Sequence, residues 1–167
     1  MRRTCLLVAA LFCLAGCPPG GPGGNIPPPT ARVDNVYVSV PAAPLRPLSS
    51  QPGDVGLLVE VTFARVDQRR GMPVSGSLEV LLFPGAVSQA EALQKKPARV
   101  QTYPNALLCE AEGFTTFFGV SYRLLVPLGP DLADPEKVPK ISVVGRYIPP
   151  SGPPVFSEPT TVPMRPS

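Results

Sequence analysis

Histidine and tryptophan are both absent from this chain of 167 residues. Without histidine, the chain by itself cannot form a Ser-His-Asp triad, a Cys-His pair or a His-ligated metal site. Without tryptophan, a glycan site would have to stack sugars on the few tyrosines and phenylalanines. Charged residues make up only 16% of the chain. They form neither a basic block nor an acidic tail, which argues against a nucleic-acid partner.

The first 17 residues carry the most specific pattern. Arg2 and Arg3 precede a run of eleven apolar residues at 5–15. A membrane-spanning helix needs about 20 residues, so this run is too short to span, but it fits the hydrophobic region of a secretory signal peptide. The run ends in the sequence Leu14-Ala15-Gly16-Cys17.

This ending resembles the lipobox of bacterial lipoproteins, in which small residues precede an obligatory cysteine. The resemblance implies that the Cys17 sulfur is acylated, that the chain is cut after Gly16, and that Cys17 becomes the new N-terminus. A cysteine is needed because its thiolate is the nucleophile that forms the thioether to lipid. The alternative is an ordinary signal peptide in which the cysteine occurs by chance.

Lipidation would hold the protein on a membrane outside the cytoplasm. One acyl chain binds a membrane reversibly, whereas two signals anchor it stably, and lipoproteins of this class carry two or three chains. Residue 18 is Pro rather than the Asp that favours inner-membrane retention in some bacteria, so we expect the outer membrane where one exists. The predicted partners are the membrane, through the lipid on Cys17, and another protein of the cell envelope.

Cleavage changes the cysteine and charge counts. Cys5 and Cys13 leave with the signal peptide and Cys17 carries lipid, so Cys109 alone remains and an intramolecular disulfide is excluded. Of 15 Lys and Arg residues, two also leave, so 13 face 12 acidic residues. We expect Cys109 to be a small buried side chain on the same strand face as Leu107.

Composition divides the chain into a signal peptide at 1–16, a lipidated cysteine with a Pro/Gly-rich tether at 17–30, and a folded domain at 31–167. Ten of the twelve residues at 18–29 are Pro or Gly. Such a segment cannot build a core, and as a flexible coil it spans about 19 Å. The remaining residues are numerous enough for a hydrophobic core.

Hydrophobic alternation with a period of two predicts the strands of this domain. The apolar faces are Val36, Val38 and Val40; Leu57, Val59, Val61 and Phe63; Leu78, Val80 and Leu82; Phe118, Val120, Tyr122, Leu124 and Val126; and Ile141, Val143 and Tyr147, with a bulge at Gly145. Weaker strand signals lie at 98–103, 105–111 and 154–162. Pro159 and Pro163 place the final strand at a sheet edge, because proline cannot donate to a ladder.

One short helix is predicted near 88–96. Ser88 and Glu91 have the spacing of a capping box, and Pro97 ends the run. Together these patterns predict an all-β fold, an immunoglobulin-like antiparallel β-sandwich of seven or eight strands. Gly119-Val120-Ser121-Tyr122 resembles the tyrosine-bearing strand of immunoglobulin and fibronectin type III domains. A transthyretin-like sandwich and a small barrel are the alternatives.

Three side-chain groups are candidates for chemistry. Asp131, Asp134 and Glu136 would supply oxygen ligands for a weak cation site, or form a solvated loop. Glu110 and Glu112 would share one side of a strand, either as a hydrolytic carboxylate pair or as solvent-facing residues. The third group is an aromatic patch that would pack in the core or meet a partner protein, and it comprises Phe114, Phe117 and Phe118.

These observations favour a non-enzymatic, membrane-anchored envelope lipoprotein that needs no cofactor or metal and contacts partners through its strand edges. The runner-up is a surface-displayed module that binds a solute or glycan, with Tyr37, Tyr103 and Tyr147 around a cleft. An enzyme that uses converging carboxylates is the third hypothesis.

Overall fold

A computed structural model describes residues 28–164 except 52, 69, 111, 112, 117 and 118, and only the backbone of 106, 109, 110 and 113–116. The chain folds as two antiparallel sheets. The strands are β1 (Asn35–Ser39), β2 (Leu45–Pro47), β3 (Val55–Ala64), β4 (Ser77–Pro84), β5 (Arg99–Tyr103), β6 (Gly113–Thr116), β7 (Gly119–Pro127), β8 (Lys140–Ile148), β9 (Val155–Phe156) and β10 (Thr160–Pro163). The helices are α1 (Gln89–Gln94), α2 (Asn105–Glu110) and α3 (Pro130–Ala133).

The ten described strands form four side-by-side positions in each sheet, because two short consecutive strands share one edge of each sheet. The first sheet has the order β1-β3-β7-β6, and β2 continues the β1 edge along β3. The second has the order β10-β8-β4-β5, and β9 continues the β10 edge along β8. These orders are those of the A-B-E-D and G-F-C sheets of an immunoglobulin fold, with β5 added beside C. The predicted sandwich and the edge position of the final strand are confirmed.

The core lies between the sheets on the faces that the alternation predicts. Burial of one such side chain contributes about 1.5–3 kcal/mol. Phe63 packs at 5.6 Å from Tyr122 and 5.3 Å from Tyr147 between ring centroids. The fully buried aliphatic residues include Leu57, Val59, Val61, Leu78, Val80, Leu82, Val126, Ile141 and Val143.

Helix α1 has the predicted capping box. The Ser88 hydroxyl accepts from the Glu91 amide at 3.3 Å, and the Ser88 amide donates to the Glu91 carboxylate at 2.9 Å. A hydrogen bond from Lys95, together with those from Ser88, lowers the pKa of Glu91 to about 2. Ala92 packs with Leu81 on the outer face of the second sheet, so α1 covers part of that face.

The strand predicted at 105–111 is wrong, because residues 105–110 form α2. Leu108 is 1% exposed and joins the core, whereas Leu107 is 47% exposed. An apolar run of two or three residues is too short to distinguish a period of 2 from one of 3.6. Cys109 therefore does not share a strand face with Leu107, and its side chain lies outside the described part. Helix α2 packs against β4, β5 and β6 and closes that side of the sandwich.

The sequence resemblance also assigns the strand that bears Tyr122 to the wrong position in the immunoglobulin strand order. In immunoglobulin domains the conserved tyrosine lies on strand F. Here β7 lies between β3 and β6, in the place of strand E, and β8 takes the place of F. β6 pairs with β7 in antiparallel register, and the alternation at 118–126 did not predict β6. The Tyr122 hydroxyl instead accepts from the Val74 amide at 3.4 Å.

Gly145 is not a bulge in its own strand, since β8 pairs with β4 in an unbroken register. The irregularity lies opposite, where residues 157–159 face only 144 and 145 between the β9 and β10 pairings. The reason for glycine is the close approach of β1. A Cβ at this position would lie 2.9 Å from Val38 Cγ2 and 3.1 Å from Val36 Cγ1.

We predict that Gly145→Ala destabilises the domain by about 1–3 kcal/mol, because the added methyl group overpacks the contact with β1. Val38→Ala removes the nearest methyl group. The double variant should therefore lose less stability than the sum of the two single variants, with a coupling of about 0.5 kcal/mol or more. Urea unfolding of all four proteins measures this coupling. Strict additivity would show that Val38 is not what requires a glycine.

Candidate functional site

An apolar groove of about 480 Å³ runs along one side of the sandwich. One wall is the crossing segment between β1 and β2, residues 40–45, and the other is residues 160–164 at the end of β10. The groove thus lies where an edge of the first sheet faces an edge of the second. On the opposite side of the sandwich α2 packs against β4, β5 and β6.

Two hydrogen bonds fix the walls on either side of the groove. The Thr160 hydroxyl donates to the Val38 carbonyl at 2.9 Å and joins β1 to β10 at one end of the groove. The Leu58 amide donates to the Pro44 carbonyl at 2.7 Å and returns the chain to the first sheet. Between these bonds the crossing segment Pro-Ala-Ala at 41–43 stands away from both ladders, which leaves the groove open.

The backbone of β10 is protected against pairing with another strand. The Met164 amide donates to the Pro139 carbonyl at 2.9 Å. Because bonded positions alternate in an antiparallel ladder, the backbone groups of Thr161 and Pro163 point outward. Thr161 presents an amide and a carbonyl, but Pro163 has no amide to donate. Proline on an edge strand is a recognised protection against edge-to-edge aggregation.

The lining of the groove selects for apolar contacts. Val162 and Met164 are buried beneath it, while Ala42 and Pro163 are exposed at its rim. Among the residues that the structure describes, none of those lining the groove is charged. A charge placed there would lose hydration without gaining a partner. The groove can therefore hold apolar side chains of a ligand, with Thr161 as a local hydrogen-bonding position.

The three tyrosines considered for a ligand cleft do not surround one. Tyr147 is fully buried, and its hydroxyl donates to the Ala31 carbonyl at 3.3 Å. Tyr103 lies against the core on β5, where burial raises its pKa to about 12 and its hydroxyl donates to the Leu125 carbonyl at 3.0 Å. Tyr37 is exposed on β1.

The acidic candidates also remain separate. Asp134 accepts from the Glu136 amide at 3.0 Å and pairs with Lys137 at 3.3 Å. These bonds lower its pKa and make the segment after α3 a solvated turn. Glu110 ends α2 rather than lying on a strand, so it does not form the expected strand pair with Glu112, which lies outside the described residues. Across the described residues, no group of three or more Cys, Asp or Glu side chains could hold a metal.

Glu60 and Glu79, which the alternation places on solvent-facing sides, form cross-strand ion pairs. Glu60 pairs with Arg123 on β7 at 2.9 Å, and Glu79 pairs with Arg146 on β8. Each pair joins residues directly opposite each other in the ladders. Such pairs support sheet pairing, so these carboxylates have a structural role.

Several predicted residues lie outside the described part. Gly16 and Cys17 belong to residues 1–27, Phe117 and Phe118 are not described either, and only the backbone of Phe114 is described. Among the helices that are described, none is long and apolar enough to cross a membrane.

Sequence reasoning missed the groove. Its walls come from segments more than 100 positions apart, and no local pattern relates them. The available signals were Pro41 and Pro44, which interrupt the first two strand segments, and Pro163, which already indicated an edge. The chain matches no known protein family, and no curated protein or solved structure is significantly similar to it.

We predict that Pro163→Val promotes self-association, because it restores an outward amide on β10 and lets a second copy pair with this edge. Analytical ultracentrifugation over a range of protein concentrations should show a larger share of dimers or larger species than for the native protein. Pro154→Val, in the exposed connection before β9, is the matched control and should remain like the native protein. Equal behaviour of the two variants would show that Pro163 does not protect the edge.

Proposed function

We propose that this chain is a lipid-anchored protein of the bacterial cell envelope, held on the extracytoplasmic side, whose sandwich domain binds another envelope protein without catalysis. The apolar groove between residues 40–45 and 160–164 is the observation that carries the binding role. The lipobox-like ending at Cys17 carries the anchoring role. The outer membrane is the expected location.

The anchoring proposal is supported by the order of features along the chain. A positive start, an apolar run and small residues lead directly to Cys17, and a Pro/Gly-rich tether follows. Thr30 already bonds to the connection before β4, and β1 starts at Asn35. The tether therefore joins the lipid site to a folded domain with little intervening chain.

The binding proposal is supported by the chemistry of the groove. Its uncharged lining and apolar floor suit an extended segment of a partner that presents apolar side chains. Since Pro163 limits backbone pairing to Thr161, side chains rather than a full strand ladder would provide the affinity. The described lining offers a charged metabolite no group of opposite charge.

We predict that Cys17→Ser abolishes lipid attachment, because serine supplies no thiolate to form the thioether. The variant should leave the membrane fraction after a carbonate wash, and labelled palmitate should no longer be incorporated. Cys13→Ser, within the apolar run, is the control and should behave like the native protein. Membrane retention of both variants without label would refute lipidation at Cys17.

We predict that Ala42→Arg weakens partner binding by on the order of tenfold, because it places an unpaired charge at the apolar groove. In-cell crosslinking should lose a stoichiometric adduct that the native protein forms. Ala86→Arg makes the same change at an exposed site outside the groove and should preserve the adduct. If Ala42→Arg keeps the adduct, the partner contacts another surface and the role assigned to the groove is wrong.

A further inference from the structure

Two backbone hydrogen bonds hold Thr30 at one end of the sandwich. The Thr30 amide donates to the Pro73 carbonyl and the Ser75 amide to the Thr30 carbonyl, both at 3.0 Å. Residues 28–34 therefore lie against the connection between β3 and β4, residues 65–76. We call this the tether end. Helix α1 lies at the other end of β4, about 25 Å away along an eight-residue strand.

The tip of the 65–76 connection displays one apolar side chain. Val66 is 76% exposed, the highest value among the large hydrophobic residues that the structure describes. Its backbone is held in place: the Val66 amide donates to the Asp34 carboxylate at 3.0 Å, and the Gln68 amide donates to the Arg65 carbonyl at 3.1 Å. A fixed turn that presents an apolar side chain to the surroundings is an arrangement suited to contact.

Two ion pairs and a further arginine lie on the segments that hold this side chain. Arg32 pairs with Asp34, and Arg65 with Asp67. The amide of Val66 and the charge of Arg32 hold the pKa of Asp34 below its usual value, so this carboxylate stays ionised beside its arginine. Arg70 is exposed and adds a positive charge to these two pairs, which leaves an excess of positive charge on the described residues of the tip.

The length of the tether confines this end. Ten residues separate Cys17 from Pro28. They span about 18 Å as a flexible coil and at most about 36 Å when extended. A lipid on Cys17 would therefore keep the tether end close to the bilayer. A surface with an exposed apolar side chain and excess positive charge is complementary to anionic headgroups above an apolar layer.

We propose that the tip of this connection docks, through Val66 and Arg70, on the membrane to which Cys17 anchors the chain. This inference rests on the proposed anchoring. Val66 enters the boundary between headgroups and acyl chains, and Arg70 meets lipid phosphates. One valine and one arginine bind too weakly to anchor a protein by themselves, so the contact orients a domain that the lipid already holds. The surface that the tip contacts is that of the anionic lipids.

The absence of tryptophan makes a clean test available. Val66→Trp places the only tryptophan at the tip, where the native side chain is already exposed. The mature lipidated protein is reconstituted in vesicles of phosphatidylethanolamine and phosphatidylglycerol that contain a brominated phospholipid. We expect the emission of residue 66 to shift to the blue and to be quenched by the brominated lipid.

Two matched variants carry the reporter elsewhere. Leu93→Trp on α1 and Tyr37→Trp on β1 replace side chains that are 56% and 58% exposed, and neither should be quenched. Equal quenching at positions 66 and 93 would overturn the inference. A blue shift at 66 without quenching would also overturn it, and would assign the tip to contact between copies of the protein.

Charge provides an independent measurement. In the Val66→Trp background, Arg70→Glu should weaken the docked state roughly fivefold or more in anionic vesicles. Arg46→Glu, an exposed arginine on β2, should leave quenching unchanged. Equal effects of the two substitutions would overturn the role of Arg70.

Flotation of the same samples separates the two proposals. Protein that floats with the vesicles but shows no quenching at position 66 refutes the docking and leaves the anchoring intact. Protein that does not float refutes the anchoring, and the docking inference fails with it.

Discussion

The contact of Phe63 with Tyr122 and Tyr147 is the interaction on which the rest of this domain depends. Immunoglobulin domains of antibodies join their sheets with a buried disulfide against a tryptophan, and this chain has no tryptophan. Here the aromatic cluster occupies the space between the sheets, and its two hydroxyls bond to the backbone of Val74 and Ala31. One apolar cluster therefore joins the sheets and also holds the entering chain against the 65–76 connection.

A sandwich of two sheets has a gap along each side, between the edge strands of the two sheets. In this domain the chain covers the two gaps in different ways. Helix α2 buries Leu108 in the core, packs against β5 and β6, and closes one of the two sides. On the other side, Gly145 allows β1 to pack closely on β8, but the chain then crosses from β1 to β2 through Pro41 and Pro44. The groove is what remains of the unclosed side. Pro163 keeps it from becoming a site of strand pairing, so apolar contact is possible there without an open ladder.

The alternation predicted the strands and their buried faces because a side-chain period of two depends only on neighbouring residues. It failed at 105–111, where Leu107 and Leu108 fit a helix as well as a strand. It also assigned Tyr122 to the wrong strand of the immunoglobulin order, since strand position depends on pairing between distant segments. The groove is of the same kind: Ala42 and Thr161 become neighbours only when β1 and β10 are placed at facing edges.

The arrangement of these features bears on how an anchored domain would meet a partner. The chain enters at the tether end, where Tyr147 bonds to Ala31, whereas Met164 bonds to Pro139 at the opposite end of β8. The groove therefore extends away from the tether end by much of the nine-residue length of β8, about 30 Å. If the tether end faces the bilayer as proposed, the groove opens sideways above the headgroups, where a second envelope protein can reach it. If the tether joined the domain at the opposite end of the sandwich, the same groove would lie next to the lipid.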